Sequence, residues 1–309
     1  MKVLVTGGAG FIGSHLVEAL LARGDEVQLL DNLDPVYDPG PRRARIPGAV
    51  RHVDGSLLDP GCLAAALAGC DAVAHLAARP GVRESLADPM TTTRINVDGT
   101  VALLDAMRHA GVRRLVFASS SSVYGVRRGS LLRESDPADR PASPYGASKR
   151  AGEIYAWAAH AAWGLDVSCT RLFTVFGPRQ RPGMAIARFV RQLRAGEPVT
   201  LYGDGTTARD YTFVADAVTG LLAALDRAEG YHLVNLAGGV SVRLDVLVHT
   251  LADVLGVPLR IERLPEQPGD VPETAADLAI ARDWLDYTPR VSLAEGLRRY
   301  VAWLDAGQP

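Results

Sequence analysis

Lysine is almost absent from this chain. Of 33 basic residues in 309, only Lys2 and Lys149 are lysine, and the other 31 are arginine. Codon usage in a GC-rich genome accounts for the general preference. Against that background the single internal lysine, Lys149, marks a position that needs a compact ammonium on a slim stem rather than a planar guanidinium. Cysteine is scarce as well. Cys62, Cys70 and Cys169 cannot all pair, and none has CxxC or metal-ligand spacing, so they read as reduced, mostly buried thiols and no metal is expected. Neither sign of charge prevails: the net charge is −2, which gives no reason to expect a nucleic-acid partner. No apolar run reaches the ~18 residues of a membrane span. The opening Met1-Lys2-Val3-Leu4-Val5-Thr6-Gly7 is a strand entering a glycine turn rather than a signal peptide, so a cytoplasmic protein is expected. With 48% hydrophobic and 22% charged residues, wholesale disorder is excluded.

What is present alternates. Short apolar runs at 3–5, 26–30, 71–76, 115–119 and 167–172 are separated by helical patterns, notably at 14–23, 95–110 and 145–163. Such alternation predicts an α/β fold with a doubly wound parallel sheet covered on both faces. After Gly177 the texture changes to shorter elements broken by Pro178, Pro182, Pro258, Pro265, Pro268 and Pro272. The expected division is a cofactor domain over 1–172 and a smaller mixed α/β substrate domain over 173–309. A segment near 208–237 is expected to rejoin the first domain.

Gly7, Gly10 and Gly13 stand in GxxGxxG spacing between the first strand and the first helix. The first permits a tight turn, the second lets the backbone approach a pyrophosphate, and the third lets helix and sheet pack closely. The helix start at Phe11 and Ile12 then offers N–H groups and a positive dipole to phosphate. Asp31 ends the second strand, where a carboxylate accepts hydrogen bonds from an adenosine ribose and repels a 2′-phosphate. No arginine follows it immediately, so NAD is favoured over NADP. Asn32, Ser56 and Leu57 lie where the adenosine would rest. Leu76, Ala77 and Ala78 end a strand with the small residues that close cofactor approach requires. His75, in that strand, reads as a core histidine.

Tyr145 and Lys149 stand at i and i+4, on one face of a helix. A neighbouring ammonium favours the phenolate and makes the tyrosine a general base for a sugar hydroxyl. The run Ser119-Ser120-Ser121-Ser122 leaves the end of a strand, where ligands sit in open α/β sheets.

These motifs, with HLAA, NVDGT, SSSSVYG, YGASK, RDYTFV and PGDVPETAAD, make the chain resemble the extended short-chain dehydrogenase/reductases of the nucleotide-sugar epimerase type over essentially its whole length. The resemblance implies a Rossmann-like fold and an isomerase using NAD. It implies Ser120, Tyr145 and Lys149 as the catalytic set, and further NAD contacts from Arg79 and Asn96 or its neighbours. It also implies a homodimer through the helices near 96–110 and 145–163. Family 4,6-dehydratases resemble T-D-E-V-Y-G at the serine run, and family UDP-glucuronate decarboxylases resemble T-S-E-V-Y-G. This chain has Ser120-Ser121-Ser122 and no carboxylate there. Its F-T-V-F-G-P-R-Q-R-P-G-M-A run resembles the UDP-glucuronate 4-epimerase pattern, with Gly183 where an aspartate is usual. That resemblance implies Ser121, Ser122 and Thr174 on the uronate, with Arg181 steering the segment. It further implies Arg188, Tyr202, Arg209 and Asp270 on the UDP. The alternatives are a UDP-glucose or UDP-N-acetylhexosamine 4-epimerase, then a decarboxylase, then a silent nucleotide-sugar binding protein.

Overall fold

The structure is a computed structural model that describes all residues except 36–37, 128, 130, 266–270 and 308–309. The strands are β1 (Lys2–Thr6), β2 (Glu26–Asp31), β3 (Arg51–Asp54), β4 (Ala72–His75), β5 (Arg114–Ser120), β6 (Asp166–Leu172), β7 (Thr174–Phe176), β8 (Val199–Tyr202), β9 (Ala208–Phe213), β10 (Tyr231–Leu236), β11 (Ser241–Arg243) and β12 (Ile261–Leu264). Helices α1 (Phe11–Ala22), α2 (Pro39–Ala44), α3 (Pro60–Leu67), α4 (Val82–Ala87), α5 (Pro89–Thr93) and α6 (Gly99–Ala110) precede the long α7 (Pro144–Trp163). Then come α8 (Ala185–Arg194), α9 (Val214–Asp226), α10 (Leu244–Leu255), α11 (Ala279–Leu285) and α12 (Leu293–Asp305).

Seven parallel strands form the central sheet in the order β10-β6-β5-β4-β1-β2-β3. The order reverses between β1 and β4, and the ends of these two strands form the crevice in which open α/β sheets bind ligands. Val3, Leu4, Val5, Val73 and Leu115 are fully buried, because helices cover both faces of a parallel sheet. Strand β10 pairs with β6 in parallel, Tyr231 opposite Val167, so the chain returns to the central sheet after its excursion. The rest of the expected returning segment divides: β9 joins a separate three-stranded sheet with β7 and β11. Strands β8 and β12 form a third, two-stranded sheet.

The pattern at 95–110 predicts one helix. The structure has a π-helical turn at Arg94–Asp98 running into α6. A widened turn of this kind turns successive side chains to different partners and recurs at functional sites. Here Ile95 faces a cavity while the neighbouring Asn96 is buried. Helix α7 has clear boundaries in its own residues. Ser143 Oγ accepts from Gly146 N at 3.1 Å, Pro144 opens the first turn, and Gly164 closes the helix at φ +67°.

The glycine loop packs its backbone directly on the end of β4. Gly7 has φ +69°, and a Cβ on it would stand 2.7 Å from the Ala77 backbone. Gly24, in the turn after α1, also has a left-handed φ, +87°, but nothing lies within 4 Å. Gly24→Ala should therefore cost only the backbone penalty, about 1–2 kcal/mol. Gly7→Ala should cost about 3 kcal/mol or more, since backbone has to move as well. Urea unfolding of the two variants measures the difference, and equal losses would contradict it.

Candidate active site

One cavity of about 1240 Å³ runs along the carboxyl ends of the central strands. Of the residues expected to contact the cofactor, Gly7, Gly10, Phe11, Ile12, Gly13, Asp31, Asn32, Ser56, Leu57, Leu76, Ala77, Ala78 and Arg79 all line it. Ser120, Tyr145, Lys149 and Arg181 line it too. Asn96 does not: its Oδ1 accepts from Arg79 N at 2.7 Å, and its Nδ2 donates to Arg79 O at 3.1 Å and to Ser148 Oγ at 2.9 Å. Its amide ties the Arg79 loop to α7, and its neighbour Ile95 lines the cavity.

The cradle at the start of α1 has the form a dinucleotide needs. A Cβ on Gly10 would sit 3.0 Å from Gly7 O, and one on Gly13 would run into that same oxygen. No side chain caps α1 and no acid stands in its first turn, so its leading N–H groups remain for phosphate. Asp31 is only 7% exposed and is held by Ala9 N at 3.1 Å and Leu33 N at 2.9 Å. No arginine follows Asp31 immediately, but one reaches it from farther along the chain. Arg42, eleven residues on in α2, places Nη2 2.9 Å from Asp31 Oδ1. A short helix folds it back, which a search of the adjacent sequence misses.

Residues Tyr145 and Lys149 lie on α7, and Ser120 ends the neighbouring β5. Lys149 is 4% exposed and donates from Nζ to Ala118 O at 2.8 Å. Burial drives its pKa down to about 8, and Glu153 raises it. The i,i+4 spacing predicts a Tyr145 pKa lowered by Lys149. The structure differs: burial raises the phenol above the ordinary tyrosine value, while the Arg181 charge and a hydrogen bond with Ser120 act against that rise. The guanidinium comes from the segment after Gly177, so local spacing cannot reveal it. Ser120 Oγ also donates to Ser122 Oγ and accepts from Ser122 N, both at 3.1 Å.

Among the described residues, Ser121, Ser122, Thr174, Arg188, Tyr202 and Arg209 are outside the cavity lining. Ser121 and Ser122 form a 3₁₀ turn after β5, and Thr174 pairs with Tyr211 across β7 and β9. Tyr202 has the Arg83 and Arg188 guanidinium carbons 5.0 and 5.4 Å from its ring centroid. Arg83, on α4, was not singled out by its sequence context; only the fold carries it to Tyr202. Arg209 Nη1 donates to Ala208 O at 2.8 Å. Its neighbour Asp210 is occupied by Gly238 N at 2.7 Å, Gly239 N at 3.1 Å and Ala276 N at 3.3 Å, and burial raises its pKa to about 6. Asp270 lies outside the described residues.

A model of the NAD dependent epimerase/dehydratase family matches residues 3–237. The chain belongs to that family. It is 37% identical over 308 residues to a UDP-glucuronate 4-epimerase of Thermodesulfobacterium geofontis, covering 97% of this chain and 95% of that protein. A crystal structure of UDP-glucuronic acid 4-epimerase from Bacillus cereus, in complex with UDP-glucuronic acid and NAD, is 33% identical with a TM-score of 0.92, covering 99% of both chains. DesIV, a dTDP-glucose 4,6-dehydratase from Streptomyces venezuelae with NAD and TYD bound, is 36% identical with a TM-score of 0.93, covering 99% of this chain and 97% of that one. The family is therefore fixed by fold and sequence together. Its members differ in reaction, so the side chains at the cavity have to separate them.

His75 sits under this site without facing the cavity. Its Nδ1 is 2.7 Å from Thr6 Oγ1 and its Nε2 3.0 Å from Thr100 Oγ1. Burial, with Lys149 nearby, lowers its pKa to about 3. The folded value is below the unfolded one, so the unfolded chain binds more protons between the two. This contribution is whole above about pH 6.5 and drains away as the pH falls toward 3. Between pH 7 and 5 the wild type should lose about 2 kcal/mol that His75→Gln does not lose. Urea midpoints at the two pH values measure this, and parallel losses would contradict it.

Proposed function

We propose that this protein is an NAD-dependent epimerase that inverts C4 of UDP-glucuronate to give UDP-galacturonate. The observation that carries the reading is the meeting of Ser120, Tyr145 and Lys149 in the cavity that the glycine loop opens, beside a serine run with no carboxylate. A 4,6-dehydratase needs an acid/base pair where this chain has Ser121 and Ser122. Those neutral hydroxyls instead suit a uronate, whose charge an acidic side chain would repel. The UDP-glucuronate 4-epimerases among its relatives support the same choice.

When bound, NAD supplies a reversible two-electron acceptor for the hydrogen at C4. The chain's own residues do the rest. Tyr145 takes the proton of the C4 hydroxyl and later returns it. Ser120 bridges the sugar hydroxyl and the phenol. Lys149 and Arg181 provide the positive field that a buried phenolate requires. In this reading Ser121, Ser122 and Thr174 hold the uronate. Arg188, Tyr202 and Arg209, joined by Arg83 and by Asp270, hold the nucleotide. The division into a cofactor unit over 1–172 and a substrate unit over 173–309 belongs to the same proposal.

Supplied with UDP-glucuronate and no added cofactor, the protein should form UDP-galacturonate, followed by proton NMR. Absence of a C4-inverted sugar, or faster inversion of UDP-glucose, would overturn the assignment. Tyr145→Phe should lower turnover on the order of 10²–10⁴-fold with UDP affinity almost unchanged.

The proposal includes a homodimer. Helix α7 exposes Ile154 (52%), Tyr155 (46%) and Trp157 (53%) to solvent, a large apolar face for an isolated helix. A second α7 related by a two-fold axis would cover it, giving a four-helix contact with α6. Ile154→Glu should shift sedimentation equilibrium from dimer to monomer. A wild type that sediments as a monomer would exclude the dimer.

A further inference from the structure

The crevice between the ends of β1 and β4 has two lips, and one segment is fastened to both. After β7 the chain passes Gly177, at φ +140°, and runs through Pro178, Arg179, Gln180, Arg181 and Pro182 to Gly183, before α8 begins at Ala185. On the β1 side it is tied to α1. His15 Nε2 donates to Pro178 O at 3.0 Å, Arg179 Nη2 to Glu18 Oε1 at 2.6 Å, and Arg179 Nη1 to Ser14 Oγ at 3.4 Å. On the β4 side Arg181 Nη1 donates to Pro80 O at 3.4 Å, in the loop that continues from Ala77, Ala78 and Arg79. Residues 179–183 line the same cavity as the glycine loop and that β4 loop. The segment therefore crosses the switch point at which an open α/β sheet receives its ligand.

Arg179 is a fastening that its own backbone does not call for. Its φ of +66° is left-handed, a region that glycine enters without steric cost. For the turn alone, glycine would serve better. What glycine lacks is the guanidinium that reaches Glu18 and Ser14. His15 is set from the cofactor side as well. Its ring meets that of Phe11 edge-on, with centroids 6.2 Å apart, and Phe11 is both the first residue of α1 and part of the cavity wall.

We propose that residues 178–182 form a strap across the cofactor crevice, and that Arg179 and His15 are positioning residues that fasten it to α1 and so slow the escape of NAD. The cradle at the start of α1 holds the cofactor from below, and the strap closes the mouth above it. A segment of this kind sets release by how often it opens. An epimerisation returns its hydride to the sugar, so NAD has no need to leave between turnovers. That use of retention rests on the epimerisation proposed above. The fastening itself does not depend on which sugar is turned over.

The test reads cofactor release directly. Protein loaded with radiolabelled NAD is chased with excess unlabelled NAD, without sugar, and the label that stays on the protein is followed over time. Glu18→Gln and Arg179→Gln should each release NAD about three- to tenfold faster than the wild type, the effect of losing one charge-assisted bond at a partly exposed pair. The double variant should release it no more than about twofold faster than Arg179→Gln alone, because both changes break the same bond. Arg179→Gly should quicken release too, although it relieves the left-handed backbone, and so should His15→Ala. Arg23→Gln is the control: it removes ion pairs with Asp25 and Asp226 at the far end of α1, away from the strap, and should leave release unchanged. Wild-type release from Arg179→Gly and Glu18→Gln would overturn the proposal. Equally fast release from Arg23→Gln would overturn it as well, by tracing the effect to α1 as a whole. Glu18 is half-exposed, so Glu18→Gln keeps the test standing if the Arg179 variants do not fold. Failure of UDP-glucuronate turnover in the wild type would count against the proposed substrate alone, because release is read without any sugar.

Discussion

The seam between α7 and the end of β5 is the contact on which the site depends. Its polar groups are buried, so each has to find a partner, and the partners that exist are few. Lys149 uses a main-chain carbonyl of Ala118, and Glu153 uses Ser119 and Arg171. Those bonds fix how far α7 slides along the sheet, and with it where Tyr145 stands. Two glycines make the approach possible. A Cβ on Gly152 would enter the Phe117 ring, and one on Gly146 would stand 2.5 Å from Ser122 O. The register of the helix on the sheet is thus set by absent side chains as much as by bonded ones.

A second constraint ties the segment after β7 to the cofactor helix. His15 Nε2 lies 3.0 Å from Pro178 O, and Arg179 Nη2 lies 2.6 Å from Glu18 Oε1, both partners on α1. Burial lowers the His15 pKa, which favours the neutral ring that donates to this carbonyl. Arg179 adopts φ +66°, unusual for a residue with a side chain, and its bonds to Glu18 and Ser14 hold it there. Two residues later the chain delivers Arg181 to the cavity. Helix α1 and the arginine that acts on Tyr145 are therefore tied through one segment.

The same logic separates this chain from other reactions of its family. Fold similarity is equally high to an epimerase and to a dehydratase, with TM-scores of 0.92 and 0.93. The backbone cannot choose between them, since a parallel sheet with a crevice at its switch point serves either chemistry. The choice falls to a few side chains at the end of β5, where hydroxyls stand without a carboxylate.

Much of this was legible in the sequence because it depends on neighbours in the chain. Buried strands such as Val3–Val5, the GxxGxxG turn, and the four-residue spacing of Tyr145 and Lys149 are local patterns, and local geometry follows from them. The ion pair of Arg42 with Asp31, the charge of Arg181 acting on Tyr145, the approach of Arg83 to Tyr202 and the burial of Asn96 were not legible. Each joins residues from separate elements, or depends on a π-helical turn that apolar spacing does not distinguish from an α-helix. The Tyr145 pKa shows the difference most plainly. Spacing points to Lys149 as the cation, but in the packed structure the charge that acts on Tyr145 is that of Arg181, and desolvation outweighs it. The order of residues sets which chemical groups are available and on which elements they ride. The tertiary structure decided which of them meet and how dry the meeting place is, because distance across the fold and exclusion of water are set by packing alone.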